Sequence, residues 1–309
     1  MAKGKISKII VFGLFSALLG AGAGAICWMV FKVMNLGISG LWKVLPEALG
    51  METPTLVYTM AVCVTGGIVI GLWQKKMGAL PEELEEVMGT LKKTGSYTQY
   101  GLHILAISAL LPLIFGGTIG PEAGLTGLIV ALCCHVGDNL KYRGHEVASL
   151  AEAGMAATLG VIFNAPLFGI INNIEPDDRK ERFREKLVSK KTRLFIYFMG
   201  VAGAMASMNF LSAIFGGGAG LPKFAAEHNM NIEQWKWFIP MIVTGLILGL
   251  FYLAVNRATR AIGKKLLNYR ILSCVIAGVV LACVSYFIPY IRLSGEGDMD
   301  FLMYTHYMI

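Results

Sequence analysis

The stretch from Gly116 to Gly124 holds the residues best suited to chemistry, in the order Gly-Gly-Thr-Ile-Gly-Pro-Glu-Ala-Gly. Pro121 fits the first turn of a helix, where a missing N–H has no consequence. The glycines before it allow a sharp turn and leave backbone N–H groups uncovered. Such a helix N-terminus attracts anions through free N–H groups and the helix dipole. The stretch predicts an anion site at Gly117, Thr118, Ile119, Gly120 and Pro121.

A second stretch repeats this pattern in weaker form. Glycine precedes proline, and acidic residues follow in the first turn, which is typical of a helix start. One interpretation is a surface helix on the cytoplasmic side, which the acidic cluster favours. The other is a second helix N-terminus directed at the ion path, which would bind an anion at Gly78, Ala79, Leu80 and Pro81.

A third stretch predicts a break inside a helix. Small residues between Ala153 and Gly160 allow close helix contact. Proline then interrupts the apolar run in mid-membrane, so that two half-helices meet there. The residues of this break are Phe163, Asn164, Ala165 and Pro166.

These motifs require a membrane-embedded helical frame. The 309 residues are 55% hydrophobic and 15% charged, which is too apolar for a soluble domain. The runs on either side of Pro121 are shorter than the ~20 residues of a full membrane crossing. They therefore predict broken helices of the kind that bind ions in transporters. The apolar segments are expected near 9–34, 56–73, 101–115, 121–137, 147–174, 194–215, 237–256 and 271–292.

Charge predicts location and partners. Basic residues cluster in loops between apolar segments, as on the cytoplasmic side of a membrane protein, so the net charge of +7 is no argument for a nucleic-acid partner. The first apolar run reaches spanning length and is expected to be a retained helix rather than a signal peptide. We expect a multi-pass protein of the cell membrane, surrounded by lipid, with a cytoplasmic N-terminus. The six cysteines lie in apolar segments without metal spacing, and neither a metal nor a cofactor is expected.

A weak internal repeat divides the chain. Residues 19–24 match residues 244–249, and each copy is followed by an apolar helix containing glycine and then by a glycine-containing turn. Repeats of this sort generate transporter folds. The expected units are a first membrane repeat at 1–193 and the start of a second at 194–309. The second is shorter and is expected to be incomplete.

The sequence resembles the CLC family of chloride channels and proton/chloride antiporters. The most specific likeness is the segment from Ala153 to Glu175, with its Phe-Asn-Ala-Pro-Leu core. Residues 117–121 stand where the family has Gly-Lys/Arg-Glu-Gly-Pro, and residues 77–82 resemble Gly-Ser-Gly-Ile-Pro-Glu. The likeness covers nearly the whole chain but about two-thirds of the family's membrane domain. It implies an all-α polytopic fold with broken, re-entrant helices and inverted repeats, working as a homodimer.

Departures from the family pattern shape the functional expectation. The family's gating glutamate position holds Ile119, and its chloride-coordinating serine position holds Gly78. The internal proton-transfer glutamate aligns with Pro176, one residue after Glu175. Since Ile119 cannot carry a proton, the resemblance implies passive conduction of chloride or a similar small anion, with backbone N–H groups binding it.

Intramembrane acids leave alternatives open. Glu122 either satisfies the helix terminus or serves as a displaced gate that competes with the anion. Glu175 is the other gate or proton candidate, although anchoring at the cytoplasmic edge also fits it. Glu152 is expected to begin a helix and to be structural.

Other functions are weighed against the channel. A proton-coupled or fluoride-selective antiporter would use Glu122, and a non-conducting fragment or assembly partner would need another chain. A membrane enzyme is not expected, because no Ser/His/Asp or Cys/His constellation is present.

Overall fold

The computed structural model describes residues 2–51, 54–78, 80–82, 86–87, 89–90, 94, 97, 100–139, 144–172, 190–217, 236–288, 291 and 293. Every regular element in these ranges is helical, so the predicted all-α class is confirmed. The α-helices are α1 (Ala2–Ser39), α2 (Leu45–Ala48), α3 (Leu56–Met77), α4 (Leu102–Ile114), α5 (Pro121–Asn139), α6 (Gly144–Ile162), α7 (Pro166–Asn172), α8 (Lys190–Phe215), α9 (Phe238–Lys265) and α10 (Arg270–Phe287).

The chain between the expected apolar segments 9–34 and 56–73 was expected to be a loop, and this expectation is wrong over most of its length. Helix α1 continues to Ser39, a π-helical turn spans Gly40–Val44, and α2 follows directly. The reason is tertiary: Trp42 is only 6% exposed, and its indole N–H donates to the carbonyl of Ile114 at 3.0 Å. That contact keeps the chain helical beyond the first apolar run.

Five helical stretches in the described ranges are long and apolar enough to cross a membrane, which fits a multi-pass membrane protein. They are Ile10–Ala48, Leu56–Met77, Lys191–Phe215, Phe238–Gly263 and Arg270–Phe287. Helices α4, α5 and α6 pack among them and supply most of the largest buried cluster. The described parts of α5 and α6 are therefore strongly enclosed, whereas α7 is exposed at its start.

Helices α1 and α8 run parallel with their backbones in contact. A Cβ on Gly20 would lie 2.0 Å from the carbonyl oxygen of Gly200, and one on Gly24 would lie 2.2 Å from that of Ala204. The Ser16 hydroxyl donates to the carbonyl of Ile196 at 2.8 Å. Only small residues allow the two backbones to approach so closely. The resulting van der Waals packing stabilises the pair, because helices in lipid have no hydrophobic driving force for association.

Helices α3 and α10 run antiparallel, and their contact is nearly symmetric. A Cβ on Gly67 would lie 2.6 Å from the carbonyl oxygen of Cys274, and one on Gly278 would lie 2.5 Å from that of Cys63. Each cysteine stands four residues before the glycine of its own helix. Because each helix gives the other the same contact, a local two-fold axis passes between them.

Helix α9 differs from the other spanning helices. None of its most apolar stretch is buried among described residues. Gly245 and Gly249 have no atom within 4 Å of the position a Cβ would take. Its apolar surface therefore faces outward, as a lipid-facing helix requires.

Candidate anion-binding site

The site begins where α4 ends at a left-handed glycine. Gly116 has φ +87°, its N–H donates to the carbonyl of Leu113 at 3.4 Å, and the N–H of Gly117 donates to that of Pro112 at 2.7 Å. This pair of bonds is the Schellman helix ending, which favours glycine. Steric crowding also favours glycine here, because a Cβ on Gly116 would lie 2.8 Å from the ring of Trp42.

The loop that follows is open. Helix α5 begins at Pro121, so the predicted helix start is confirmed. Thr118 and Ile119 are exposed, the latter at 41%. The N–H of Gly117 is already donated, whereas those of Thr118 and Gly120 make no hydrogen bond to other described residues. Two backbone donors at the positive end of α5 thus remain available to a ligand.

The predicted acidic candidates are placed only in part. The backbone of Glu122 occupies the first turn of α5, and its side chain lies outside the described part of the chain. Glu175 and Ala79 also lie outside the described residues.

The stretch around Gly78 is arranged differently. Gly78 ends α3 with φ +106°, and its N–H donates to the carbonyl of Gln74 at 3.0 Å. The N–H of Leu80 donates to Gly78, also at 3.0 Å, and Pro81 has none. The Gln74 side-chain amide donates to the carbonyl of Leu80 at 3.2 Å. The described N–H groups of this stretch thus serve local hydrogen bonds.

Tyr97, which lies beside this stretch, is a buried residue that the sequence motifs do not predict. The Tyr97 hydroxyl donates to a carboxylate oxygen of Glu82 at 3.0 Å, and Tyr97 is only 2% exposed. Burial, and next the charge of Glu82, raises the pKa of the Tyr97 phenol, which therefore stays protonated and donates. A Cβ on Gly127 of α5 would lie 3.7 Å from the Tyr97 hydroxyl oxygen. No local sequence signal marks this pair, because its partners come together only through tertiary packing.

The predicted helix break between α6 and α7 is confirmed. Asn164 has φ +49°, its N–H donates to Val161 at 3.1 Å, and the N–H of Ala165 donates to Gly160 at 3.0 Å. Pro166 then begins α7. The new helix folds back on the old one, because a Cβ on Gly169 would lie 2.2 Å from the carbonyl oxygen of Ala156.

One buried cluster joins the three motif-bearing segments. Leu80 and Leu125 belong to it, and Phe163 packs against it while half-buried. Leu80 follows Gly78, Leu125 lies in the first turns of α5, and Phe163 ends α6. The structure thus brings the segments together, and the loop at 117–120 offers undonated N–H groups at Thr118 and Gly120.

Glu152 corrects an expectation. It lies inside α6, which begins at Gly144, and its side chain is only 6% exposed. The Tyr197 hydroxyl donates to its carboxylate at 2.5 Å, and the Arg193 guanidinium lies 4.0 Å away. Glu152 is therefore not a helix start but a buried carboxylate that ties α6 to α8.

The sequence of this helical chain also matches a protein-family model. The family model described as "Voltage gated chloride channel" matches residues 62–308, which is most of the chain. The chain belongs to the voltage gated chloride channel family. The CLC resemblance that its helix-break motifs predict is therefore confirmed.

A solved CLC structure shares the fold. The X-ray crystal structure of a slow cyanobacterial Cl⁻/H⁺ antiporter is similar with a TM-score of 0.61 and 17% sequence identity. The match covers 88% of this chain and 64% of the antiporter chain, so this CLC chain spans less than two-thirds of that length. No curated protein matches the chain.

Proposed function

We propose that this chain provides a passive path across the membrane for chloride or a similar small anion. The observation that carries the proposal is the open loop at 117–120, where the N–H groups of Thr118 and Gly120 remain undonated at the start of α5. A helix N-terminus within a membrane domain offers an anion both hydrogen bonds and a favourable dipole. Family membership agrees with anion transport as the task.

Conduction without proton exchange is the form we favour. The position that corresponds to the family's gating glutamate holds Ile119, which cannot bind a proton. Ile119 is 41% exposed and leaves the loop open. We propose that no protonation step is required for an anion to reach the donors of α5.

The test is chloride efflux from proteoliposomes that contain the purified chain, with external pH recorded at the same time. We expect chloride release without proton uptake. Movement of protons against chloride at a fixed ratio contradicts the channel proposal. No release from correctly folded protein also contradicts it and favours the non-conducting assembly partner.

Proton-coupled exchange is the second candidate, because the fold is similar to that of a Cl⁻/H⁺ antiporter and Glu122 lies in the first turn of α5. Under this alternative, Glu122→Gln abolishes proton movement and leaves an anion leak. Glu47→Gln in the exposed α2 removes one carboxylate elsewhere and serves as the matched control. Equal proton movement in both variants excludes Glu122 as the proton carrier.

Placing a carboxylate at position 119 tests whether charge at this position controls anion access. We expect Ile119→Glu to make chloride efflux pH-dependent, because an ionised side chain at this position competes with the anion for the α5 terminus. Ile119→Gln has similar size and no charge, and it should leave efflux independent of pH. A pH response in both variants contradicts competition by charge.

We further propose two membrane repeats, at 1–193 and 194–309, with a cytoplasmic N-terminus and a homodimeric assembly. The symmetric contact between α3 and α10 supports the repeats, since these helices follow the matching glycine pairs in the two halves. Helices α1 and α8 both begin with basic residues in the sequence, and the positive-inside rule supports a cytoplasmic location for these ends. Cysteine-accessibility labelling of either face tests the orientation.

A further inference from the structure

A cavity lies where the end of α3 meets the start of α10. Its volume is about 720 Å³, within the range of roughly 300–1,000 Å³ typical of sites for whole small molecules. Lys75 and Arg270 line it together with Gly78 and Asn268. Leu272 and Val275 of α10 form an apolar wall. The cavity is thus basic at one end and apolar along its side.

The positive charge of this cavity is not neutralised by described residues. Lys75 is exposed and has no hydrogen bond or ion pair with another described residue. Arg270 donates one guanidinium N–H to the carbonyl of Gln74 at 2.8 Å, which leaves other donors for a ligand. No acidic side chain is found among the described residues that line the cavity. By contrast, Arg193 faces the carboxylate of Glu152.

The shape of the cavity selects among anions. A small ion needs donors but gains nothing from an apolar wall. Leu272 is 51% exposed, and with Val275 it continues the surface of a spanning helix away from the basic end. A ligand that matches both parts has an anionic head and a hydrocarbon tail. Basic pockets between spanning helices at a membrane edge bind phosphate-bearing lipid head groups in this way.

We propose that this cavity binds an anionic phospholipid, with its phosphate at Lys75 and Arg270 and an acyl chain against Leu272 and Val275. The site is separate from the α5 loop, and its occupancy does not depend on whether the chain conducts anions.

The experiment measures phosphatidylglycerol retained by the purified full chain. The protein is reconstituted into phosphatidylcholine vesicles containing phosphatidylglycerol, extracted into detergent and analysed by native mass spectrometry. Lys75→Gln should reduce retention about five-fold, since a basic residue near the membrane surface contributes on that scale. Lys76→Gln is the matched control, because it removes the same charge one residue away and does not line the cavity. Equal losses in both variants show general attraction and overturn the proposal.

Further variants and competitors distinguish binding of a lipid from binding of free phosphate. Leu272→Ala should lower retention of phosphatidylglycerol without affecting binding of inorganic phosphate. If inorganic phosphate displaces the lipid as effectively as a short-chain phosphatidylglycerol does, the acyl chain is not recognised and the lipid assignment is overturned.

Arg270→Lys keeps the charge beside Gln74 and should retain more lipid than Arg270→Gln. Equal retention by these two variants contradicts a role for the Arg270 charge.

Discussion

The two helix breaks in the membrane core end their first helices alike and continue differently. At both Gly116 and Asn164 a residue with positive φ closes a Schellman ending. After Gly116 the chain runs through 117–120 before Pro121, whereas after Asn164 only Ala165 precedes Pro166. Four residues therefore separate Gly116 from Pro121, whereas α7 begins almost at once and packs against α6 at Gly169.

The difference assigns the breaks different tasks. In the tight break, Gly169 places the backbone of α7 against Ala156 of α6, although Leu167 and Phe168 at the start of α7 are exposed. In the open break, Thr118 and Ile119 are exposed. We interpret the tight break as an anchor and the open break as a binding loop. Substitutions at the two breaks distinguish these roles.

Gly169→Ala should have the largest effect on stability. The added Cβ would lie 2.2 Å from the carbonyl oxygen of Ala156 and 2.8 Å from the amide nitrogen of Gly160, so backbone must move. We expect a loss of roughly 3 kcal/mol in the free energy of unfolding. The measurement is denaturant titration of the purified protein in detergent micelles.

Gly249→Ala in α9 is its control, because nothing lies within 4 Å of the added Cβ. The change should be neutral or slightly stabilising, by up to about 1 kcal/mol, since alanine favours helix more than glycine does. A similar loss in both variants would mean that the contact between α6 and α7 is not what Gly169 secures.

Gly116→Ala should cost about 2 kcal/mol of unfolding free energy, because alanine at φ +87° is strained and its Cβ meets Trp42 at 2.8 Å. A double-mutant cycle with Trp42→Phe separates the two causes. Phenylalanine is smaller and should relieve the steric part while the backbone strain remains. Strict additivity of the two changes would exclude the ring contact.

Asn164→Ala should cost roughly 1 kcal/mol, because asparagine tolerates the left-handed conformation at φ +49° better than alanine does. Asn164→Gly should preserve or raise stability at this position. Thermal unfolding of both variants in the same detergent checks the order. An Asn164→Gly variant less stable than Asn164→Ala would point to the amide side chain rather than the backbone.

Ile119→Ala should have the smallest effect, within about 0.5 kcal/mol, because exposed side chains contribute little to stability. Denaturant titration checks it beside the Gly169 variant. A loss as large as that of Gly116→Ala would show that the loop is packed in the folded protein and contradict its assignment as an open binding loop.

Proline and glycine made the breaks predictable from sequence. Pro121 and Pro166 begin helices as expected, because the restriction they place on the backbone is local. The apolar segments likewise correspond to the observed helices, since membrane-spanning length and hydropathy are properties of continuous sequence.

Pairings between distant residues were not predictable. Tyr197 reaches Glu152 across 45 positions, and Arg270 reaches Gln74 across 196. The helix beyond residue 36 was missed for the same reason, because Trp42 is fixed by Ile114 rather than by its neighbours. Hydropathy also failed to predict burial, since α9 is the most apolar of the five candidate spans and the least covered.

The contact between α1 and α8 has a consequence for the order of biosynthesis. The Ser16 hydroxyl finds its acceptor at Ile196, 180 residues later. At a synthesis rate of about 5–20 residues per second, the ribosome takes roughly 10–35 seconds to make that interval. During this time the first helix waits in the membrane with its glycine surface uncovered. Lipid or the insertion machinery must cover that surface in the meantime. It must then be displaced when α8 is inserted parallel to α1.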